Sequence, residues 1–305
     1  MHEVRVTGPV GNSESIAKMA LSVGAKHVSV YSVFTYGPNQ PQEVLSIEVP
    51  TPQAKAFLDA LLSSPDFDSQ RYTVTSRELR AILSQTHPRQ LTQPLAEPAV
   101  DVFEDLWQLN HVTWSYLGRA VSAGFLLAFG MLTNSSISIV IAALFLPFLP
   151  SVLAMSFGIW TGERALAWQG MKALAVSTAA AFLTGLVVAS LRGGPLTYSE
   201  FKSLPANACL AVLIGAAAGL SSADDAGRRY LIGVAAAVQF ATIPAWFGIT
   251  CVLGLPGQGL MLHRGASFFV NIIALGVTAA LAYAAIGMRK EKIQLFQRAL
   301  YGRNK

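Results

Sequence analysis

The sequence predicts an α-helical integral membrane bundle of about six transmembrane helices, preceded by a small α/β domain of ferredoxin-like (βαββαβ) order. Three observations predict this fold class. The chain is 52% hydrophobic and 13% charged, whereas soluble domains carry about 25% charged residues. The deficit is confined to residues 114–288, where long apolar runs dominate. Residues 1–113 have an ordinary composition, with short alternating segments separated by Gly and Pro.

Residues 1–84 predict the ferredoxin-like domain, which we expect in the cytoplasm. Val4 and Val6 alternate with Arg5 and Thr7, which indicates a half-buried strand. The elements expected next are a helix from Asn12 or Ser13 to Gly24, strands over 26–36 and 43–49, a helix from Thr51-Pro52 and a strand over 71–75. This order is that of a ferredoxin-like unit. The fold hosts many functions, so it does not identify one.

Residues 85–113 form a linker with an interfacial amphipathic helix near 100–109. Its apolar residues and Trp107 suit a helix lying along the membrane surface. A helix packed on the soluble domain explains the same pattern, and both interpretations stay open here. At the other end, residues 289–305 predict a basic cytoplasmic tail.

Residues 114–288 predict the transmembrane domain. Six runs approach the roughly 20 apolar residues that cross a bilayer: 114–132, 136–160, 173–191, 206–221, 230–253 and 266–288. The segments on the N-terminal side carry Arg164, Lys172, Arg228, Arg229 and the basic tail. The opposite segments carry Arg192, Lys202 and Arg264. This bias predicts a multi-pass protein of the cell (inner) membrane with both termini in the cytoplasm.

Polar and helix-breaking residues inside the apolar runs define a candidate pathway, because such groups are costly in lipid. The candidate substrate-binding residues are Asn134, Ser135, Pro147, Pro150, Gln239, Thr242, Pro244 and Asn271. A proline within a helix frees a carbonyl, which in a membrane must face protein or a polar cavity. Arg119 lies about one turn into the first run, and we expect it to snorkel to the inner interface.

The two halves of the bundle have a similar layout. Each half has a proline-interrupted middle run about 35 residues from its start, and a three-span unit repeated in tandem must be inverted. Inverted repeats with broken helices at matching positions are typical of secondary transporters, whose site lies where the breaks meet. The alternative is that each proline only kinks its helix.

Several motifs occur in a fixed order along the chain. They are Trp114-Ser115-Tyr116, Asn134-Ser135, Ile139-Val140-Ile141-Ala142-Ala143-Leu144 with Pro147, Gly233-Val234-Ala235, Pro244 and Phe268-Phe269-Val270-Asn271. This ordered set resembles the domain of unknown function 389 family, uncharacterised hydrophobic membrane proteins of bacteria and archaea. The resemblance implies a membrane bundle behind a small N-terminal domain, but no substrate. The chain is a divergent member: Ala142-Ala143-Leu144 replaces a Gly-Ala-Met of the family, and Pro244 stands where the family has two prolines.

The expected function is a membrane transporter or channel for a small solute or ion, with the N-terminal domain as a regulatory or assembly module. Neutral amides and freed carbonyls suit cations or small polar solutes. Glu163, Asp224 and Asp225 fall in or near loops, so no span is expected to hold a buried carboxylate for a proton relay. The alternative is a membrane-anchored sensor or scaffold whose soluble domain binds a ligand or partner. Its bundle would form homo-oligomers through small-residue faces such as residues 215–219.

Other classes of function find little support in the sequence. No catalytic motif or metal-ligand spacing is present, so we expect neither an enzyme nor a metal or other cofactor. Cys209 and Cys251 lie in apolar runs and are interpreted as buried small hydrophobes. The pI of about 9.3 reflects basic cytoplasmic flanks rather than nucleic-acid binding. The expected partners are the lipid bilayer, a small solute or ion, and further copies of the chain.

Overall fold

The computed structural model describes residues 2–11, 13–34, 41–64, 67, 71–78, 99–196, 198, 201, 203–222 and 239–288. The chain divides into two compact units, an N-terminal one that reaches Asp101 and a helical one over Val102–Met288. The division follows the composition. Short alternating segments bury one face of a sheet, whereas a long apolar run satisfies its backbone hydrogen bonds within one helix.

The N-terminal unit is a small antiparallel sheet with two helices. Its elements are β1 His2–Pro9, α1 Ser13–Ser22, β2 Val28–Phe34, β3 Pro41–Val49, α2 Thr51–Ser63 and β4 Thr73–Glu78. The strand order is β2-β3-β1-β4, and each neighbouring pair is antiparallel. The predicted small α/β domain is confirmed, with its elements in the expected order along the chain.

The core of this unit lies on one face of the sheet. Val4 and Val6 of β1 and Ile47 of β3 are buried in it, because residues two apart in a strand point to the same side. The two helices cover this face, and their largest contribution is Phe57 of α2, which is fully buried. The two-residue alternation that predicted the strands therefore also places their apolar side chains in the core.

The opposite face of the sheet carries a charged network. The Nε atom of Arg5 donates to Glu3 at 2.6 Å, and an Nη atom of Arg77 donates to the same carboxylate at 3.0 Å. The hydrogen bond from Arg5, together with the positive charges of Arg5 and Arg77, lowers the pKa of Glu3 despite its burial. The network joins β1 to the edge strand β4.

The helical unit contains the predicted membrane helices. Its elements are α3 Ala99–Leu109, α4 Trp114–Thr133, α5 Ser136–Phe145, α6 Phe148–Thr161, α7 Arg164–Arg192, α8 Leu204–Ser222, a 3-10 turn Gln239–Ala241, α9 Thr242–Leu253 and α10 Gln258–Ala285. By length and composition, α4, α7, α8 and α10 can each cross a membrane. Helices α5 and α6 form a pair bent by 42° that makes a fifth candidate. Residues 230–238 of the expected fifth span lie outside the described residues, and α9 is the remainder of that span.

Two helices extend beyond the apolar runs that predicted them. Helix α7 has 29 residues and α10 has 28, so each is about 42 to 44 Å long, more than the roughly 30 Å of a hydrocarbon core. Arg164 and Lys172 therefore lie on the first turns of α7, and Arg264 lies within α10. The expectation that these three residues occupy loops is wrong. A helix continues through polar residues where its neighbours still pack against it.

Glycines set the distances between the packed helices. Gly185 of α7 lies against the Ala245 carbonyl of α9, and Gly248 of α9 lies against the Phe182 carbonyl of α7. A side chain at either glycine would collide with backbone, so these contacts require glycine. The α7–α9 pair joins the first half of the bundle to the second.

The small-residue face of α8 is occupied within the same chain. Gly215 lies against Leu275 and Thr278 of α10, and Gly219 lies against Ala279 and Ala282. This face packs helices, as small residues do in membranes. It does not carry the predicted contact between copies of the chain, because α10 already covers it.

Helix α3 packs against the bent pair. Val102 and Leu106 are buried, and the Nδ2 of Asn110, just after α3, donates to the carbonyl of Pro150 in α6 at 3.1 Å. The Nε2 of Gln169 in α7 donates to the Asn110 carbonyl at 3.0 Å. The amphipathic pattern of α3 thus reflects packing on the helical unit, which neither of the two interpretations from the sequence had named.

Candidate functional site

The first helix break lies between α5 and α6. Pro147 is the residue before α6 and is buried, and Pro150 is the third residue of the helix. A proline is tolerated in the first turn because its missing N–H would have no acceptor within the helix. The carbonyls at the break are satisfied locally. Ser151 Oγ donates to the Pro147 carbonyl at 2.6 Å, and Asn110 Nδ2 donates to the Pro150 carbonyl at 3.1 Å.

The start of α9, which we call the second break, is built in a similar way, and the residues before Gln239 lie outside the described part of the chain. A 3-10 turn, Gln239–Ala241, precedes α9, and Pro244 is the third residue of that helix. Thr242 and Pro244 are buried. The side chain of Gln239 lies outside the described part of the chain. Both middle helices of the bundle therefore begin with a proline at the same helical position.

The two breaks meet at three phenylalanines. The ring of Phe148, at the start of α6, lies 6.2 Å from the ring of Phe240 in the 3-10 turn. Phe268 of α10 contacts both, at 6.3 Å from Phe148 and 6.0 Å from Phe240. These centroid distances are those of packed aromatic rings. The starts of α6 and α9 thus converge against α10.

A polar cluster lies beside this crossing, between α8 and α10. The Nδ2 of Asn207 donates to Ser267 Oγ at 3.1 Å, and the Asn271 amide lies 3.4 Å from the same hydroxyl. Asn271 is only 3% exposed, and its Oδ1 has no hydrogen-bond partner. Helix α10 covers residues 258–285, so Asn271 stands at its middle. An unsatisfied buried amide is costly and calls for an explanation.

Sequence reasoning identified Asn271 but missed Asn207 and Ser267. Ser267 carried a usable signal, because residues four apart lie on one face of a helix and Asn271 follows it at that spacing. Asn207 carried none, since only the α8–α10 contact brings it to the cluster. The three phenylalanines were missed because aromatic residues are common in membrane helices.

Asn134 and Ser135 serve the turn between α4 and α5. Asn134 ends α4 in the left-handed conformation, with φ of 52°, which asparagine adopts more easily than most residues. Ser135 caps α5 by accepting from the Ser138 N–H, and the two serine hydroxyls are 2.9 Å apart. These contacts cap helices and stay within the turn. They do not join the crossing.

An arginine stacks on an aromatic ring near the first turns of α10. The guanidinium carbon of Arg264 lies 3.8 Å from the ring centroid of Phe201, whose ring packs on Trp246 of α9 at 6.0 Å. The Nε atom of Arg264 is buried without a hydrogen-bond partner. A second arginine, Arg192 at the end of α7, is exposed and lies 5.0 Å from the ring of Phe129.

A cavity of about 370 Å³ separates α3 from the first break. Its walls are mostly apolar, with Pro147 and Pro150 on one side and Leu106 on the other. Arg119 of α4 is exposed and lines the same cavity as Asp105 of α3. Burial, with the neighbouring charge of Glu104 as a second cause, raises the pKa of Asp105.

Glu163 lies in the turn before α7, as expected, and is buried at 6% exposure, because the turn packs into the bundle. One other expectation about individual residues is wrong. Cys209 and Cys251 are exposed on the surface of their helices, because an apolar residue of a membrane helix can face lipid instead of protein.

Comparison with known proteins supports the resemblance seen in the motifs. The model of the family described as "Domain of unknown function (DUF389)" matches residues 140–277, which confirms the predicted resemblance over that part of the chain. The match extends from α5 into α10 and includes both breaks, Phe268 and Asn271. No curated protein and no solved structure matches the chain.

Proposed function

We propose that this protein, which matches the DUF389 family over residues 140–277, is a membrane transporter or channel for a small solute or ion, whose pathway passes the crossing of the two helix breaks. The observation that carries the proposal is the meeting of both middle-helix starts at Phe148, Phe240 and Phe268. Broken helices that converge near the bilayer midplane form the substrate site of secondary transporters. The buried, unsatisfied amide of Asn271 provides a polar group at that depth.

An inverted repeat explains why the breaks meet. Gly124 of α4 packs on Thr184 of α7, and Gly219 of α8 packs on Ala279 of α10. In both halves the two packed residues are 60 positions apart along the chain. The cross-contacts are reciprocal as well: α7 packs on α9, and α10 packs on α6. Two three-helix units related by a pseudo-twofold axis would produce this pattern.

The repeat also supports the larger architecture. The proposed bundle has six spans, the fifth over the predicted residues 230–253, and both termini lie in the cytoplasm of a cell with an inner membrane. The strand order of the N-terminal unit, β2-β3-β1-β4, supports its assignment as a ferredoxin-like domain. That domain acts as a regulatory or assembly module, and copies of the chain associate.

The experiment is a flux screen on protein reconstituted in liposomes, with Na⁺, K⁺, H⁺ and small anions as probes. We expect protein-dependent flux of one probe class, lost in Asn271→Leu. Thr161→Val is the matched control, because Thr161 is an equally buried polar residue at the far end of α6, away from the crossing. Both variants are checked for a monodisperse elution profile before reconstitution.

Loss of flux in Asn271→Leu alone supports a pathway past the crossing. Equal loss in both variants would mean that any buried polar group is needed for the fold. No flux of any probe would refute the proposal. The protein would then be better described as a sensor or scaffold, with the N-terminal unit as the part that binds a ligand or partner.

A further inference from the structure

We infer that the substrate of the proposed pathway is a small monovalent inorganic anion, which enters past Arg264 and reaches the amide of Asn271. This inference rests on the proposed function and specifies its substrate class. It also changes the expectation from the sequence, in which neutral amides and carbonyls suited a cation or a polar solute. The change comes from the placement of Arg264 within α10.

Arg264 is a partly buried positive charge within α10. It lies seven residues before Asn271, about 11 Å along the helix at 1.5 Å per residue. Its guanidinium stacks on Phe201, and it makes no ion pair with a carboxylate of the described residues. A charge held there without a counter-ion is costly. An anion that visits the site would remove that cost.

A line of polar groups runs from Arg264 to the middle of the same helix. Residues 264, 267 and 271 lie on one face of α10, since they are spaced by three and four positions. Asn207 reaches this line from α8 through its hydrogen bond to Ser267. These polar groups lie on successive turns of α10 and end beside the crossing. An anion could therefore move from one group to the next.

The Asn271 amide at the inner end of this line has a donor to spare. Its Nδ2 lies 3.4 Å from Ser267 Oγ, which also accepts from Asn207 at 3.1 Å. An amide NH₂ group carries two protons, so the second one is available to an anion. The opposite orientation of the amide would let its oxygen accept from the Ser267 hydroxyl and would free both protons.

The helix starts add positive potential at the same place. Helices α6 and α9 begin at the crossing, with Phe148 and Thr242 as their first residues. At α6 the N–H groups of Phe148 and Leu149 precede Pro150 and have no acceptor within the helix, and the helix dipole makes this end favourable for negative charge. At α9 a 3-10 turn precedes the helix, so the dipole is the main contribution there.

Among the described residues of this unit, the buried carboxylate of Glu163 follows the far end of α6, about 21 Å from the break at 1.5 Å per residue. The half-buried Asp105 lines the cavity beside the break together with Arg119, and burial raises the pKa of its carboxyl, which favours the neutral form.

A single arginine and a few neutral donors match one negative charge, so chloride is the probe. Vesicles loaded with KCl are diluted into potassium gluconate with a potassium ionophore present, and chloride release is followed with an electrode. Sodium uptake is measured with a sodium-sensitive dye in the same preparation. The variants are Arg264→Gln and Arg264→Lys. Arg192→Gln is the matched control, because Arg192 also stacks on a phenylalanine but is exposed.

We expect wild-type protein to release chloride, and Arg264→Gln to slow the release by about tenfold or more. Arg264→Lys keeps the charge and retains most of the rate, which also shows that substitution at this position permits folding. Arg192→Gln should stay within about twofold of wild type, because an exposed charge acts weakly. Equal rates for wild type and Arg264→Gln, or an equal loss in Arg192→Gln, would overturn the inference. Sodium flux without chloride flux would overturn it and leave the transport proposal standing, whereas no flux of either ion would count against both.

Discussion

Alanine at Gly170 tests the packing that holds the first helix break in place. A Cβ atom at Gly170 of α7 would lie 2.7 Å from the Ser151 carbonyl oxygen and 2.9 Å from the Met155 nitrogen of α6. Ordinary contacts begin at 3.4 Å, so the two helices must separate by about 0.7 Å (3.4 − 2.7). Both neighbours are backbone atoms and cannot rotate away.

The magnitude follows from comparison with a matched glycine. Overpacking of this kind costs about 1 to 3 kcal/mol. The alanine also gains about 0.5 to 1 kcal/mol of helix propensity. Gly118 of α4 has no atom within 4 Å of its added Cβ, so Gly118→Ala receives the propensity gain alone. The difference between the two variants therefore isolates the steric cost, about 1 to 3 kcal/mol.

The assay is thermal unfolding of both variants in the same detergent. A difference of 1 to 3 kcal/mol separates their midpoints by roughly 2 to 12 °C, with Gly170→Ala the lower. If Gly170→Ala melted with or above Gly118→Ala, the close approach of α6 and α7 would be wrong. A loss of flux in Gly170→Ala at a temperature where it stays folded would further link this contact to the break.

Two more predictions concern the N-terminal unit and the orientation of the chain. The folded-state pKa of Glu3 is lowered below its ordinary value of 4.5. The contribution of Glu3 to stability is therefore present above pH 4.5 and is lost as the pH falls through the lowered pKa. Hydrogen exchange of β1 in the full chain should speed up over that range, and Glu3→Gln should remove most of this pH dependence. Cys209 and Cys251 lie near the outer ends of α8 and α9 in the proposed orientation. A membrane-impermeant maleimide should therefore label the protein in intact cells, and single Cys→Ser variants show which cysteine is labelled. Labelling only after lysis would mean that the orientation is the reverse.

The elements of the chain were largely predictable because their signals are local. Strand alternation around Val4, the Thr-Pro start of α2 and the apolar runs of α4, α8 and α10 depend only on neighbours in sequence. The ends of α7 and α10 were not predictable from these signals. Their extensions through Arg164 and Arg264 depend on helices packed beside them, which are far away along the chain.

The candidate site was predicted only in part. Pro147, Pro244 and Asn271 were recognisable, because helix breakers and amides stand out within apolar runs. Asn134 and Ser135 stood out in the same way, yet they cap the helices on either side of a turn. A polar residue in an apolar run therefore indicates that some partner exists. It does not tell whether that partner is a backbone group, another side chain or a solute.

The sequence by itself determined that this chain has a small sheet domain and a helical membrane unit, since composition and periodicity decide which segments become strands and which become helices. Only the tertiary structure decided that the two breaks meet at Phe268, that α10 covers the small-residue face of α8, and that Asn207 reaches Ser267. The physical reason is that these contacts join residues 28 to 120 positions apart along the chain, where helix packing rather than local propensity selects the neighbour.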